Sequence, residues 1–155
     1  MKTKKCPRLE VRDAGAMGRG VFAGRRIRRG ELIEACPVLV LSSSDETRLT
    51  GTTLDRYLFA WGEGTKGACL ALGLGSLYNH SAAPNAVACR VEEATRIEFV
   101  ALRDIAAGEQ IFVDYQWEKL EYDFSSGDAA DATLPSGESS PGAGWCHREG
   151  LHPVS

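Results

Sequence analysis

The sequence has no run of eighteen apolar residues, so it offers no helix long enough to span a bilayer. Its basic start, Met1-Lys2-Thr3-Lys4-Lys5, leads into no apolar stretch, and we read no secretory signal there. None of the five cysteines (Cys6, Cys36, Cys69, Cys89, Cys146) forms a CxxC pair. An odd, dispersed set of thiols argues against a disulfide framework and for a reducing compartment, which we take to be the cytoplasm. His80 has no second His or Cys at ligand spacing, so no zinc site is expected and no metal is assigned. With a net charge of −3 and a pI of about 5.6, direct nucleic-acid binding is not expected either.

What is present suits one domain. The 155 residues are 43% apolar, enough for a core. Glycines and turn residues punctuate short apolar runs, a pattern of strands rather than long helices. Val38–Leu41 reads as a buried strand, and Ala86–Val91 with Arg96–Leu102 as a hairpin turning at Glu92–Thr95, with Ile97 and Phe99 on one face. Residues 45–61 carry both periodicities; we read a short helix around 45–55 and then a strand. Arg26–Ile33 and Asp104–Ile111 share the pattern Ile-x-x-Gly-Glu-x-Ile, two turns of one design, each leading into a strand. From Ser125 to Gly144 the composition turns to Ser, Gly, Ala, Asp and Pro with Leu134 as its one large apolar residue, so residues 125–155 are expected to be a flexible tail. Trp145 is either a docking anchor or part of a dispensable end.

Charge is split along the chain. Residues 1–29 hold ten Lys/Arg and two acids; the rest hold eight Lys/Arg and nineteen acids. This is either a solvated basic face on an acidic remainder or an acidic body that attracts a basic partner.

Three clusters carry polar chemistry. Around Gly18-Arg19-Gly20, closely spaced glycines let a ligand approach the backbone, although a GxG alone is also an ordinary tight turn. Asn79-His80-Ser81-Ala82-Ala83-Pro84-Asn85 crowds donors and acceptors into a stretch that is at least a hydrogen-bonded loop. Gly108–Tyr115 is an apolar strand ending in a tyrosine, a position often filled for packing alone.

In this order and spacing the three resemble the SET-domain family of protein-lysine methyltransferases, whose pattern is GxG, then NHSxxPN, then GExIxxDY. The resemblance covers about residues 7–118, within a domain we place at 1–124. It implies a mainly β fold, a β-clip of small curved sheets with a pseudoknot-like site and one or two short helices. It implies transfer of methyl from S-adenosylmethionine to a lysine of a basic protein or peptide. Met17, Gly18 and Arg19 would contact the cofactor's amino-acid end, Asn79 and His80 would hold it, and Trp117 would stack near the adenine or line the site. Tyr115 would be catalytic, and Tyr78 and Val113 would line the lysine channel. Val113 stands where the family often has Phe or Tyr, which leaves the number of methyls open. Because flanking cysteine-rich zinc modules are missing, the chain resembles the minimal bacterial and viral members. A monomer or homodimer with no membrane partner is expected. The alternatives are a catalytically silent module on the same fold, against which the retained Asn79, His80 and Tyr115 speak, and an unrelated β-clip that binds a small molecule, against which the Asn79–Asn85 segment speaks.

Overall fold

The computed structural model describes residues 7–62 and 67–115. Trp117, the Ser125–Gly144 stretch and Trp145 lie outside the described residues. Nine strands and one α-helix follow in chain order among those described. β1 (Leu9–Asp13) pairs antiparallel with β2 (Arg19–Ala23). A five-stranded antiparallel sheet runs β4 (Leu58–Trp61), β5 (Gly67–Ala71), β3 (Leu32–Val40), β8 (Arg96–Ala101), β7 (Ala86–Val91). The third sheet is a short parallel pair, β6 (Asn79–His80) on β9 (Phe112–Val113). The mainly β fold of small sheets that the resemblance implies is present, with a single short α-helix among the described residues.

The hairpin forms where expected. Glu92–Ala94 makes one 3₁₀ turn, and Thr95 closes it at φ 48°, in the left-handed region. Ile97 and Phe99 point into the main core, but β8 is buried on its other face too. Val100 packs there with Val87 and Cys89 in a second, smaller cluster. The strand expected at Val38–Leu41 is the end of a longer one, and it is not buried throughout. Val38 is 7% exposed, whereas Leu39 and Val40 are about half exposed. A run of four apolar residues does not show which of them overhang the sheet.

The helix expected around 45–55 is shorter, α1 at Ser43–Leu49. Ser42 caps it by accepting from the Asp45 N–H (3.2 Å), and Asp45 and Glu46 sit in its first turn where the helix dipole favours acids. The Thr50 and Thr52 hydroxyls then bond the Glu46 and Leu49 carbonyls, and Gly51 turns the chain at φ 77°. Residues 53–57 continue only as a 3₁₀ turn before β4, so both periodicities read in this window have an element behind them.

The two Ile-x-x-Gly-Glu-x-Ile segments form matched corners that face each other. Ile27 and Ile105 exchange backbone hydrogen bonds, both 2.9 Å, and both are fully buried. Gly30 and Gly108 sit at φ 75° and 80°, where a side chain would be strained. Glu31 accepts from the Arg28 N–H (3.0 Å) and pairs with Arg25; Glu109 accepts from the Ala106 N–H (2.9 Å) and pairs with Arg103. Ala101 N–H donates to Glu31 O as Ala23 N–H donates to Glu109 O. Ile33 and Ile111, which follow, are buried in the same core; each such side chain contributes roughly 1.5–3 kcal/mol.

Candidate active site

The site is built where the ends of these elements converge. A 3₁₀ turn at Gly15–Met17 feeds Gly18, whose φ 75°, ψ −125° is a conformation side chains resist. At Gly20 a Cβ would overlap the Gln110 side-chain amide and stand 3.0 Å from Asn79 Nδ2, so only glycine lets those groups close over the strand. Asn79 Nδ2 then donates to the Arg19 carbonyl (3.1 Å), joining the first motif to the second.

The second motif is anchored from below by Glu34. Its carboxylate accepts from the Leu74 N–H (3.0 Å) and from the Tyr78 hydroxyl (2.9 Å). The Tyr78 ring is buried, 4.4 Å from Phe99 between centroids. Beyond it, β6 pairs with β9, and the Ser81 N–H donates to the Val113 carbonyl (3.0 Å). Asn85, 1% exposed, fastens the third motif. Its Nδ2 donates to Gln110 O (2.8 Å) and Glu109 Oε1 (3.2 Å), and its Oδ1 accepts from the Phe112 N–H (2.8 Å).

β9 is only two residues long, so Tyr115 stands in the turn after it rather than at a strand end. Its backbone N–H donates to His80 Nδ1 (3.1 Å), and Asp114 Oδ1 lies 3.6 Å from the same nitrogen. The Tyr115 hydroxyl donates to the Tyr78 carbonyl (2.8 Å). Burial, and then the neighbouring Tyr57, raise the Tyr115 pKa above the ordinary phenol value.

Met17, Gly18, Arg19, Asn79 and Tyr115 line one cavity of about 510 Å³, within the range of small-molecule sites, about 300–1,000 Å³. A narrower cleft of about 160 Å³ adjoins it, and Tyr78 lines this one. Tyr115, Tyr57, Arg56 and Ser76 line both. His80 stands beside the larger cavity through its contact with Tyr115, and Val113 is buried and lines neither. Asp13, Arg56, Tyr57 and Phe59 were not expected at the site. For Tyr57 and Phe59 the alternation with Trp61 was the one visible signal, and it also reads simply as a strand; Asp13 and Arg56 gave none.

The buried thiols take no part in this chemistry. Burial first, and then the Glu34 carboxylate, push Cys36 up to about 12; burial pushes Cys69 up to about 12 as well. Such thiols are poor nucleophiles.

Residues 18–116 match the SET domain family model. The histone-lysine N-methyltransferase of Schizosaccharomyces pombe described as H3 lysine-37 specific is 39% identical over 108 residues, 69% of this chain and 72% of that protein. Among solved structures, a candidate histone methyltransferase of Plasmodium falciparum superposes with a TM-score of 0.57 at 27% identity, over 72% of this chain and 94% of that one. A chain of an active polycomb repressive complex 2 in the basal state superposes with a TM-score of 0.60 at 25% identity, over 71% of this chain and 15% of that one.

These relatives correct two expectations. The kinship is with eukaryotic, histone-directed enzymes, not with a minimal bacterial or viral form: missing zinc modules describe what surrounds a domain, not its lineage. The cytoplasmic assignment also falls, because enzymes named for histones act in the nucleus. Dispersed free thiols suit any reducing compartment and do not separate the two. Motifs, fold and relatives agree, and the chain belongs to the SET-domain family, as a protein-lysine N-methyltransferase that moves a methyl group from S-adenosylmethionine to a lysine side chain.

Proposed function

We propose that the larger cavity is the S-adenosylmethionine site, that the narrower cleft takes the substrate lysine, and that Tyr115 is the catalytic residue between them. The observation that carries this reading is the Tyr115 hydroxyl, held 2.8 Å from the Tyr78 carbonyl by a residue that lines both spaces. Met17, Gly18 and Arg19 offer backbone groups to the cofactor; Asn79 and His80 complete its cradle. The glycines fit that role, since an added Cβ at Gly20 would displace Asn79 and Gln110. Trp117, two residues past Tyr115, is assigned to the adenine, and Tyr78 and Val113 to the lysine channel and its support. Bound S-adenosylmethionine supplies an activated methyl group.

The chain's own residues do the rest. A lysine with a pKa of about 10.4 loses its proton at neutral pH at a cost of about 4–5 kcal/mol. Burial among Tyr57, Phe59, Tyr78 and Tyr115 disfavours the charged ammonium and lowers that cost. Tyr115 is no base here: its raised pKa keeps the phenol protonated, so the proton leaves to water. With its own hydrogen given to Tyr78 O, the Tyr115 oxygen is open to accept from the amine and to make weak C–H···O contacts. Such holding brings the reacting atoms to about 3–3.5 Å in line.

The substrate we assign is a basic histone segment, by kinship with enzymes named for histone lysines and by the acidic excess after residue 29. The enzyme works on it as a monomer or homodimer, without gripping nucleic acid or membrane. Labelled cofactor with core histones, read by mass spectrometry, should place methyl on a histone lysine. Methyl on other proteins but not on histones would overturn the substrate, and none on any lysine would overturn the site.

A further inference from the structure

We infer that Glu34 is a positioning residue for methyl transfer: its carboxylate clamps the turn at 74–78 at both ends and so fixes the Tyr78 carbonyl that aims the Tyr115 hydroxyl. The inference rests on Tyr115 being the catalytic residue. Glu34 stands in a row of β3 that otherwise faces the main core. It lies opposite Phe99 in the β3–β8 register, as Cys36 lies opposite Ile97, and Cys36, Phe99 and Ile97 are all core residues. The register shifts between Leu32 and Glu34, and a bulge of this kind re-aims a side chain. A carboxylate in such a row costs free energy to bury unless its oxygens find donors. Both oxygens do, and both donors belong to one turn.

Oε1 accepts from the Leu74 N–H (3.0 Å) and Oε2 from the Tyr78 hydroxyl (2.9 Å), and these two residues bracket the 3₁₀ turn at Gly75–Leu77. The glycines let this turn close on Glu34. Gly73 sits at φ 69°, where a Cβ would overlap Glu34 Oε1, and a Cβ at Gly75 would crowd Ala71 and Cys36 Sγ. In the middle of the turn the Ser76 hydroxyl bonds the Tyr57 and Ala71 carbonyls, and Ser76 lines both cavities. What the turn delivers is the Tyr78 carbonyl, the acceptor for the Tyr115 hydroxyl. Tyr78 is therefore a strut, with its phenol oxygen held by Glu34 and its carbonyl held against Tyr115. Once the first hold is lost the second can drift, and misplacing a reacting group by about 1 Å costs on the order of 100-fold in rate.

The test is methyl transfer to core histones with labelled cofactor, alongside S-adenosylhomocysteine affinity by calorimetry. Glu34→Leu leaves both donors unpaired and should lower kcat by about 10- to 100-fold, with cofactor KM and S-adenosylhomocysteine affinity nearly unchanged. Glu34→Gln can keep the clamp, its amide oxygen accepting from Leu74 and its NH₂ donating to the Tyr78 oxygen, and should restore most of the lost turnover. Tyr78→Phe removes one hydroxyl and should lower kcat by about 5-fold, the worth of one hydrogen bond. Combined with Glu34→Leu, it should cost less than the product of the two factors, because both act through one contact. Factors that multiply, a loss that Glu34→Gln does not restore, or a Glu34→Leu that changes only the unfolding midpoint would each overturn the inference. Should Glu34→Leu fail to fold, wild-type kcat in Tyr78→Phe overturns it instead. Wild-type turnover in Tyr115→Phe would sink the catalytic reading and this one with it, whereas a large loss there beside full turnover in Glu34→Leu would sink this one alone.

Discussion

The two matched corners of the fold use one chemistry for two ends. At the first, Gly30 and Glu31 lead into β3, a long strand locked into the centre of the five-stranded sheet. At the second, Gly108 and Glu109 lead into β9, which has two residues and a single short parallel neighbour. Backbone bonds to β2 hold the chain as far as Ile111, and beyond them Asn85 takes over. Its one amide bonds Gln110, Glu109 and Phe112, just ahead of Tyr115. The same turn is scaffold where a long strand follows it, and a mount for the active site where a buried side chain reinforces a short one.

The widest break between the corners should come from Asn85→Leu. Phe112 N–H and Gln110 O would both lose a buried partner, at about 1–3 kcal/mol each, so unfolding in denaturant should show a loss of about 2–6 kcal/mol. A variant as stable as wild type would show that the backbone bonds to β2 and β6 fix the second corner without Asn85.

Tyr115→Phe probes what that corner carries. Turnover should drop about 100-fold, or about 2.7 kcal/mol, with S-adenosylhomocysteine affinity nearly unchanged in calorimetry. Wild-type turnover would reduce Tyr115 to packing.

The two glycines sharpen the contrast. Gly30→Ala and Gly108→Ala each force a side chain into the left-handed region, at about 1–2 kcal/mol of stability. Thermal unfolding should show similar losses, but only Gly108→Ala should lower kcat in the folded protein. Equal kinetic effects would mean that the corners do not divide their labour.

The smallest effect is acidic. Hydrogen bonding from Arg25 comes first in holding Glu31 below the ordinary carboxylate range. At Glu109 burial pushes upward but is outweighed by Arg103, the Ala106 N–H and Asn85, so its pKa is lowered too. A depressed folded-state pKa stabilises above the unfolded value, about 4.3, and that gain is lost as pH falls through the folded one. Both pairs are part-exposed, so each is worth about 0–1 kcal/mol. Unfolding between pH 5 and 3 should be flatter in Glu31→Gln and Glu109→Gln than in wild type; identical slopes would remove the pairs from the account.

Much of this was legible in the sequence because it is local. The hairpin from Ala86 to Ala101, the doubled corner and the three polar clusters all sit within a few residues of their own signals. What was not legible depends on distant partners. Asn85 was one polar residue in a polar loop until the chain returned at Gln110 and Phe112. Glu34 gave no sign that it would hold both Leu74 and Tyr78. Arg56 and Tyr57 lay in a window whose periodicity fits a helix and a strand equally, and neither reading points toward a cavity. Leu39 and Val40 looked buried because composition does not show where a neighbouring strand stops.

The parallel pairing of β6 with β9 also ties the active site to the rest of the fold. The antiparallel hairpin needs only a short loop to close, whereas Asn79 meets Phe112 across the whole of that hairpin. Closing a longer loop costs more chain entropy, and here only two residues on each strand repay it. A chain in which this pair has opened keeps its core but has no place for Tyr115 to bond Tyr78. Under the proposed mechanism, opening of these two short strands is then enough to stop methyl transfer.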